Sequence, residues 1–125
     1  MNNLIIDAAA NKIFFKIIIN NKSYTSEYTN SRENFDKFVI LLFNFLKKNN
    51  VNIKEVNNIF INQGPGKFSG IRASIAAAKA LSVTNELNLY GFSSEQVKDH
   101  NYNKIIDLFN KGHLIKNLIK PQYSS

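Results

Sequence analysis

The stretch from Ile59 to Phe92 constrains the fold most. An apolar run, Ile59–Ile61, leads into the loop Gly64-Pro65-Gly66-Lys67-Phe68-Ser69-Gly70. An alanine-rich stretch, Ile71–Val83, follows, and then a second short apolar run, Leu89–Phe92. Short apolar runs bounded by turn residues read as buried strands, and the longer stretch between them reads as a helix. Strand, loop, helix and strand in this order predict a crossover unit within a sheet.

The upstream sequence predicts a different kind of connection. Leu4–Ala8 and Ile13–Ile19 read as strands joined by the tight link Ala9-Ala10-Asn11-Lys12. Asn20-Asn21-Lys22 is a turn signal, and Ser23–Tyr28 then alternates as an edge strand would. Three strands joined by short turns make an antiparallel meander. A helix is predicted next. Ser31 is its N-cap, Glu33 lies in the first turn, Lys47 and Lys48 suit its carboxyl end, and Asn49-Asn50 stop it. Past Phe92, Ser93 or Ser94 caps a short helix through Val97, Asn103–Asn110 can form another, and a tail runs from His113 to Ser125. The expected class is α/β, with the order β-β-β-α-β-α-β-α. That is the plan of one lobe of the ribonuclease-H-like fold shared by actin, Hsp70 and sugar kinases, and pattern alone leaves other α/β sheets in competition.

At 125 residues, 44% hydrophobic and 20% charged, the chain can bury a modest core of its own. It has no cysteine, which excludes disulfides and thiolate metal sites. The start, Met1-Asn2-Asn3-Leu4, has no basic leader, and the apolar runs are too short to cross a bilayer, so a cytoplasmic location is expected. The net charge of +7 admits two readings. One is a nucleic-acid surface. The other is compositional drift, because the chain is crowded with Asn, Lys and Ile, and its basic side chains are nearly all lysine.

Candidate chemistry is thin. Asp7 ends the first strand, but Ala8, Ala9 and Ala10 follow it, with no hydroxyl and no glycine to cradle a phosphate. It could instead form a turn or pair with a nearby lysine. Gly64, Gly66 and Lys67 are the candidates for anion binding, since the loop precedes a helix. The spacing matches neither a P-loop nor a dinucleotide fingerprint. The competing reading is a sharp turn that lets the helix pack closely. His100 and His113 stand alone and read as solvated, and Ser69 and Ser74 lack a visible base. No catalytic residue, metal site or cofactor is expected.

The helices point to a partner. Phe35, Phe38, Val39, Leu41, Leu42, Phe43, Phe45 and Leu46 spread over about 200° of a helical wheel, roughly twice the stripe that one sheet needs. Phe35, Phe38, Val39, Leu42 and Leu46 are expected against the sheet. Ile40, Leu41 and Phe43 are expected to face another protein. Ala73, Ala76, Ala77 and Ala80 make the second helix smooth enough for close helix packing. The alternative is a third layer supplied by the chain's own C-terminal helices.

A family resemblance adds to this. Gln63-Gly64-Pro65-Gly66-Lys67-Phe68-Ser69-Gly70-Ile71-Arg72 is similar to the Gly-Pro-Gly-Ser-Phe-Thr-Gly-Leu-Arg signature of the TsaB/TsaD family. Pro65, Phe68, Ser69 and Arg72 fall on that pattern with the three glycines, and Asp7 falls on the family's opening motif. Ala78-Lys79-Ala80-Leu81 continues it, and Gly91-Phe92-Ser93-Ser94-Glu95 resembles the family's next strand and helix start. Leu4-Ile5-Ile6-Asp7 resembles its opening Leu-Ala-Ile-Asp-Thr, and Ser31-Arg32-Glu33-Asn34 falls where Arg-Glu-His is common. Ile119-Lys120-Pro121-Gln122-Tyr123 resembles its closing Pro-x-Tyr. In phosphotransferases of this fold an acid at the position of Asp7 holds metal.

TsaD, the catalytic paralogue, carries a His-x-x-x-His metal motif in the helix occupied here by Asn34–Phe38, where this chain has no histidine. The resemblance therefore implies the inactive TsaB (YeaZ) type: residues 1–100 as its N-terminal lobe, and residues 101–125 as a short helix and tail in place of a second lobe. It implies a non-catalytic subunit that pairs with TsaD through the lobe's helices; without TsaD, the apolar patch of Ile40, Leu41 and Phe43 is expected to pair with a second copy. With the ATPase TsaE, that complex transfers threonylcarbamoyl to adenosine 37 of tRNAs reading ANN codons, so tRNA would be met through the complex. The rival functions are an ATP-binding relic enzyme using Asp7 and the glycine loop, and a stand-alone tRNA-binding module.

Overall fold

The computed structural model describes residues 1–117 and 119–123. It contains one six-stranded mixed sheet. The strands are β1 (Asn3–Asp7), β2 (Lys12–Ile19), β3 (Lys22–Thr29), β4 (Asn58–Asn62), β5 (Asn88–Phe92) and β6 (Ile115–Lys116). Their order across the sheet is β3-β2-β1-β4-β5-β6. The predicted meander is present: β2 pairs antiparallel with both β1 and β3, and β3 is an edge. β1, β4 and β5 run parallel, so the chain must cross over between them, and the crossovers are helical. β1 and β4 are buried along their whole length, as expected for strands covered on both faces.

The helices are α1 (Arg32–Asp36), α2 (Phe38–Lys48), α3 (Phe68–Asn85) and α4 (Asn103–Asn110). Ser31 caps α1 as expected, its hydroxyl accepting from the Asn34 N–H at 3.3 Å. The single predicted helix is broken at Lys37, whose φ of −107° and ψ of 14° interrupt the ladder. α3 starts at Phe68 rather than Ile71, which places Gly70 inside the helix. β6 is an addition: Ile115 and Lys116 pair antiparallel with Gly91 and Tyr90.

Two cores lie on opposite faces of the sheet. Leu4, Ile6, Phe15, Ile59 and Ile61 meet Phe38, Leu42, Phe45 and Leu46 of α2 and Ile71, Ile75 and Ala78 of α3. Phe15 is the centre of an aromatic group, with its ring 5.5 Å from Phe38 and 5.7 Å from Phe45. Ile5, Phe60 and Phe92 point the other way, against Val97, Tyr102 and Ile105 of the C-terminal segment. The C-terminal helix therefore covers the far face of the sheet, and the alternative of a third layer over the earlier helices does not hold.

A second correction concerns α2. Its buried face is centred on Phe38, Leu42 and Phe45. At 100° per residue this leaves Val39 and Leu41 on opposite flanks. The core fills the Leu41 flank, so Leu41 is half-buried rather than free. The Val39 flank stays open, and Val39 is 44% exposed instead of lying on the sheet.

The amino ends of the parallel strands carry a short ladder of amides. Asn58 Nδ2 donates to Asn3 Oδ1 at 2.9 Å, and Asn88 Nδ2 donates to Asn58 Oδ1 at 3.3 Å. Asn3 and Asn58 are buried, and each pays for its burial with these bonds.

Candidate functional site

Ligand crevices in parallel sheets lie beyond the carboxyl ends of the strands. Here those ends carry Asp7, Asn62 and Phe92. Asp7 is buried, and both of its oxygens are used. Oδ1 accepts from the Ala9 N–H and from Asn62 Nδ2, each at 3.1 Å, and Oδ2 accepts from the Tyr102 hydroxyl at 2.7 Å. Asn62 passes the network on, accepting from the Gly64 N–H at 2.8 Å, while its amide nitrogen donates to Ser94 Oγ at 3.1 Å. Ser94 Oγ in turn donates to the Pro65 carbonyl at 2.8 Å. Asp7 therefore takes backbone, amide and phenol partners rather than a lysine.

Tyr102 is held by more than this bond. Its ring stacks on Phe14 at 4.5 Å with 7° between planes. Burial, then the Asp7 charge, the bond to Asp7 and the more distant Glu27 push its hydroxyl far above the ordinary tyrosine value. The phenol is thus a fixed donor. Beside it is a cavity of about 500 Å³ lined by Asp7, Lys12, Phe14, Glu27, His100 and Tyr102. A smaller one of about 250 Å³, lined by Asn62, Pro65, Ser94 and Lys98, shares Asp7 and His100 with it. His100 and Asp99 sit at the junction with left-handed backbone, φ 55° and 59°. His100 and His113 are both exposed. Among the described residues no three His, Cys, Asp or Glu side chains group as metal ligands.

The glycine loop is closed by the chain's own backbone. A Cβ on Gly64 would overlap the Gln122 carbonyl, one on Gly66 the Ala9 carbonyl, and one on Gly70 the Ala8 carbonyl. Gly64 also has a φ of 108° and precedes a cis Gly64–Pro65 bond. Lys67 is exposed, and its N–H donates to the Ala9 carbonyl at 2.9 Å. Ser69 is exposed, and Ser74 is buried with its hydroxyl on the Ile71 carbonyl at 3.1 Å.

The partner-facing candidates fall in two places. Ile40, 60% exposed, lines a groove with Phe35, Val39, Ala73, Ala76 and Ala80. The groove runs between α1–α2 and α3 and has a volume of about 360 Å³, with Ala77 forming part of its floor. Leu41 and Phe43 lie outside it, Phe43 being exposed and Leu41 packed on the core. Residue reasoning missed Asn62 and Tyr102. A lone amide at a strand end and a lone tyrosine before a helix have no periodicity to find them by.

These features define a ribonuclease-H-like α/β lobe whose strand-end acid and glycine loop are bonded to the chain's own atoms. YeaZ from Pseudomonas aeruginosa superimposes with a TM-score of 0.73 at 16% identity, over 82% of this chain and 48% of that one. RuvC from T. thermophilus, solved with a Holliday junction substrate, gives 0.60 at 9% identity over 93% of this chain. Likeness at these identities speaks for the fold alone.

The family model described as "TsaD: tRNA N6-adenosine threonylcarbamoyltransferase" matches residues 12–103. Two proteins named tRNA threonylcarbamoyladenosine biosynthesis protein TsaB are related in sequence. The one from Buchnera aphidicola subsp. Schizaphis graminum is 28% identical over 71% of this chain and 40% of its own length. The one from Buchnera aphidicola subsp. Baizongia pistaciae is 30% identical over 64% of this chain and 36% of its own length. The chain belongs to this family, on its TsaB side. It spans less than half the length of these two relatives.

Proposed function

We propose that this chain acts in threonylcarbamoyladenosine biosynthesis as a non-catalytic partner subunit. Its groove between α1–α2 and α3 receives a helix of a TsaD-like paralogue. In this reading a TsaE-like ATPase and the tRNA join through the complex, and the chain pairs with itself when the paralogue is absent.

The observation that carries the reading is the groove. Val39 and Ile40 stand exposed beside the small side chains Ala73, Ala76 and Ala80, and the C-terminal helix lies on the opposite face of the sheet. Covering a large aliphatic side chain yields about 1.5–3 kcal/mol, and alanines allow a second helix to come close. The engagement of Asp7 by Ala9, Asn62 and Tyr102 supports a structural rather than catalytic role for that acid.

The test is co-purification with the TsaD-like paralogue of the same organism. Ile40→Glu combined with Ala76→Glu should abolish the complex while the thermal midpoint stays within a few degrees. A folded double variant that still binds the paralogue normally would refute the placement. Threonylcarbamoyl transfer by the isolated chain, lost in Asp7→Ala, would refute the non-catalytic assignment.

A further inference from the structure

The positive charge of this chain is not evenly spread. Residues 56–85 and 108–125 contain six Lys or Arg side chains and no Asp or Glu. The remainder holds ten bases against nine acids, so these two stretches account for +6 of the net +7. They are far apart in sequence, and the fold joins them. Gly66 and Tyr123 form a parallel bridge, and the Gln122 N–H donates to the Gln63 carbonyl at 2.7 Å.

Where they meet, the surface is aromatic. The rings of Phe68 and Tyr123 lie 4.6 Å apart, and the Arg72 guanidinium sits 5.1 Å over the Phe68 ring. Phe68 is 51% exposed and Tyr123 42%. Lys67, next to Phe68, and Lys120, three residues before Tyr123, are exposed as well. The ion pairs of the described residues use Lys12, Lys37 and Lys111, leaving Lys67, Arg72 and Lys120 outside them.

We propose that Phe68, Tyr123 and Arg72, with Lys67 and Lys120, form a binding surface for an unpaired nucleic-acid strand. Exposed rings beside cations suit a ligand that alternates flat faces with phosphates. Base stacking on aromatics and counterion release at lysines act together in such sites. A duplex offers the phosphates but hides the base faces. An acidic protein surface offers carboxylates but no stack of planar rings. This surface is distinct from the helical groove, and the proposal does not depend on the paralogue.

The test is a fluorescence-anisotropy titration of the full chain, alone, with a short labelled oligouridine at several salt concentrations, and with a duplex of equal length. The single strand should bind more tightly than the duplex. Phe68→Ala should weaken binding about tenfold, the loss of one stacked base. Tyr123→Phe should retain affinity, whereas Tyr123→Leu should lose it while still covering Phe68, which separates stacking from seating of the tail. Lys67→Gln and Arg72→Gln should each lower the salt slope by about 0.7. Equal binding of strand and duplex, unchanged affinity of a folded Phe68→Ala variant, or no binding at low salt would overturn the proposal.

Discussion

The Tyr102 hydroxyl reaches ninety-five positions back along the chain to bond Asp7 Oδ2 at 2.7 Å. It ties the first strand of the sheet to the segment that covers the sheet's far face. The carboxylate at the end of β1 therefore works as an anchor for the C-terminal part of the fold.

Tyr102→Phe keeps the stack on Phe14 and removes only the donor. Hydrogen bonds to charged groups contribute about 1.5–3 kcal/mol, so urea unfolding at neutral pH should show a loss of that order. The difference should depend on pH. A tyrosine in the unfolded chain ionises near pH 10, while in the folded chain burial and Asp7 hold the proton well above that. Below pH 10 both states are protonated and the contribution is complete. Above it the unfolded state binds fewer protons, so native stability falls as pH rises. The gap between wild type and Tyr102→Phe should narrow above about pH 10, and a gap that widens there would contradict the assignment.

Gly70→Val should unsettle the fold rather than any ligand. Its Cβ would fall on the Ala8 carbonyl and lie 3.1 Å from Asn30 Nδ2, which donates to that carbonyl. Overpacking of this kind costs about 1–3 kcal/mol or more. Calorimetry should show a lower thermal midpoint. A variant with an unchanged midpoint that had lost affinity for phosphate or a nucleotide would make the loop a ligand site after all.

Asn58→Ala should remove the middle of the amide ladder. Asn3 Oδ1 would lose its donor and Asn88 Nδ2 its acceptor. Stranding the buried Asn3 oxygen costs about 1–3 kcal/mol, while the exposed Asn88 amide can turn to water, so the loss should be visible in urea midpoints at neutral pH. A change under 0.5 kcal/mol would mean that water replaces the ladder freely.

Neighbours on α2 should respond in opposite ways. Leu42→Ala empties a fully buried site and should cost about 2–5 kcal/mol. Ile40→Glu, on the exposed flank, should stay within about 0.5 kcal/mol of wild type. Leu41→Glu should fall between them, because Leu41 packs on the core. Equal losses for Ile40 and Leu42 would place the buried face of the helix elsewhere.

The fold could be read from the sequence wherever one face decides the pattern. β2 alternates between buried and part-buried positions, and the turn at Asn20-Asn21 uses two left-handed residues, φ 51° and 65°. The class of fold, the meander and the glycine loop followed from such signals. The break at Lys37 did not, because the apolar period runs across it unbroken. Nor did β6, two exposed residues with no alternation to show. For the sites, the sequence marked Asp7 and the alanine face of α3 but not the partners they meet. Tyr102 and Asn62 reach Asp7 only through the topology, and Val39 became part of the groove only because the core filled the other flank of α2.

The apolar middles of β1 and β4, Leu4-Ile5-Ile6 and Ile59-Phe60-Ile61, carry little that distinguishes one offset of the strands from another. Polar rungs close both ends: Asn3 opposite Asn58 and Asp7 bonded to Asn62, four residues apart on each strand. Only one alignment satisfies both rungs at once. If β4 slid by two residues, Asn58 or Asn62 would lie opposite Ile5 and both rungs would be lost. The two rungs act as a gauge that sets the register of the parallel pair. Aliphatic residues in the middle can drift among Leu, Ile and Val without loss of alignment, while the four polar positions at the ends have no such latitude.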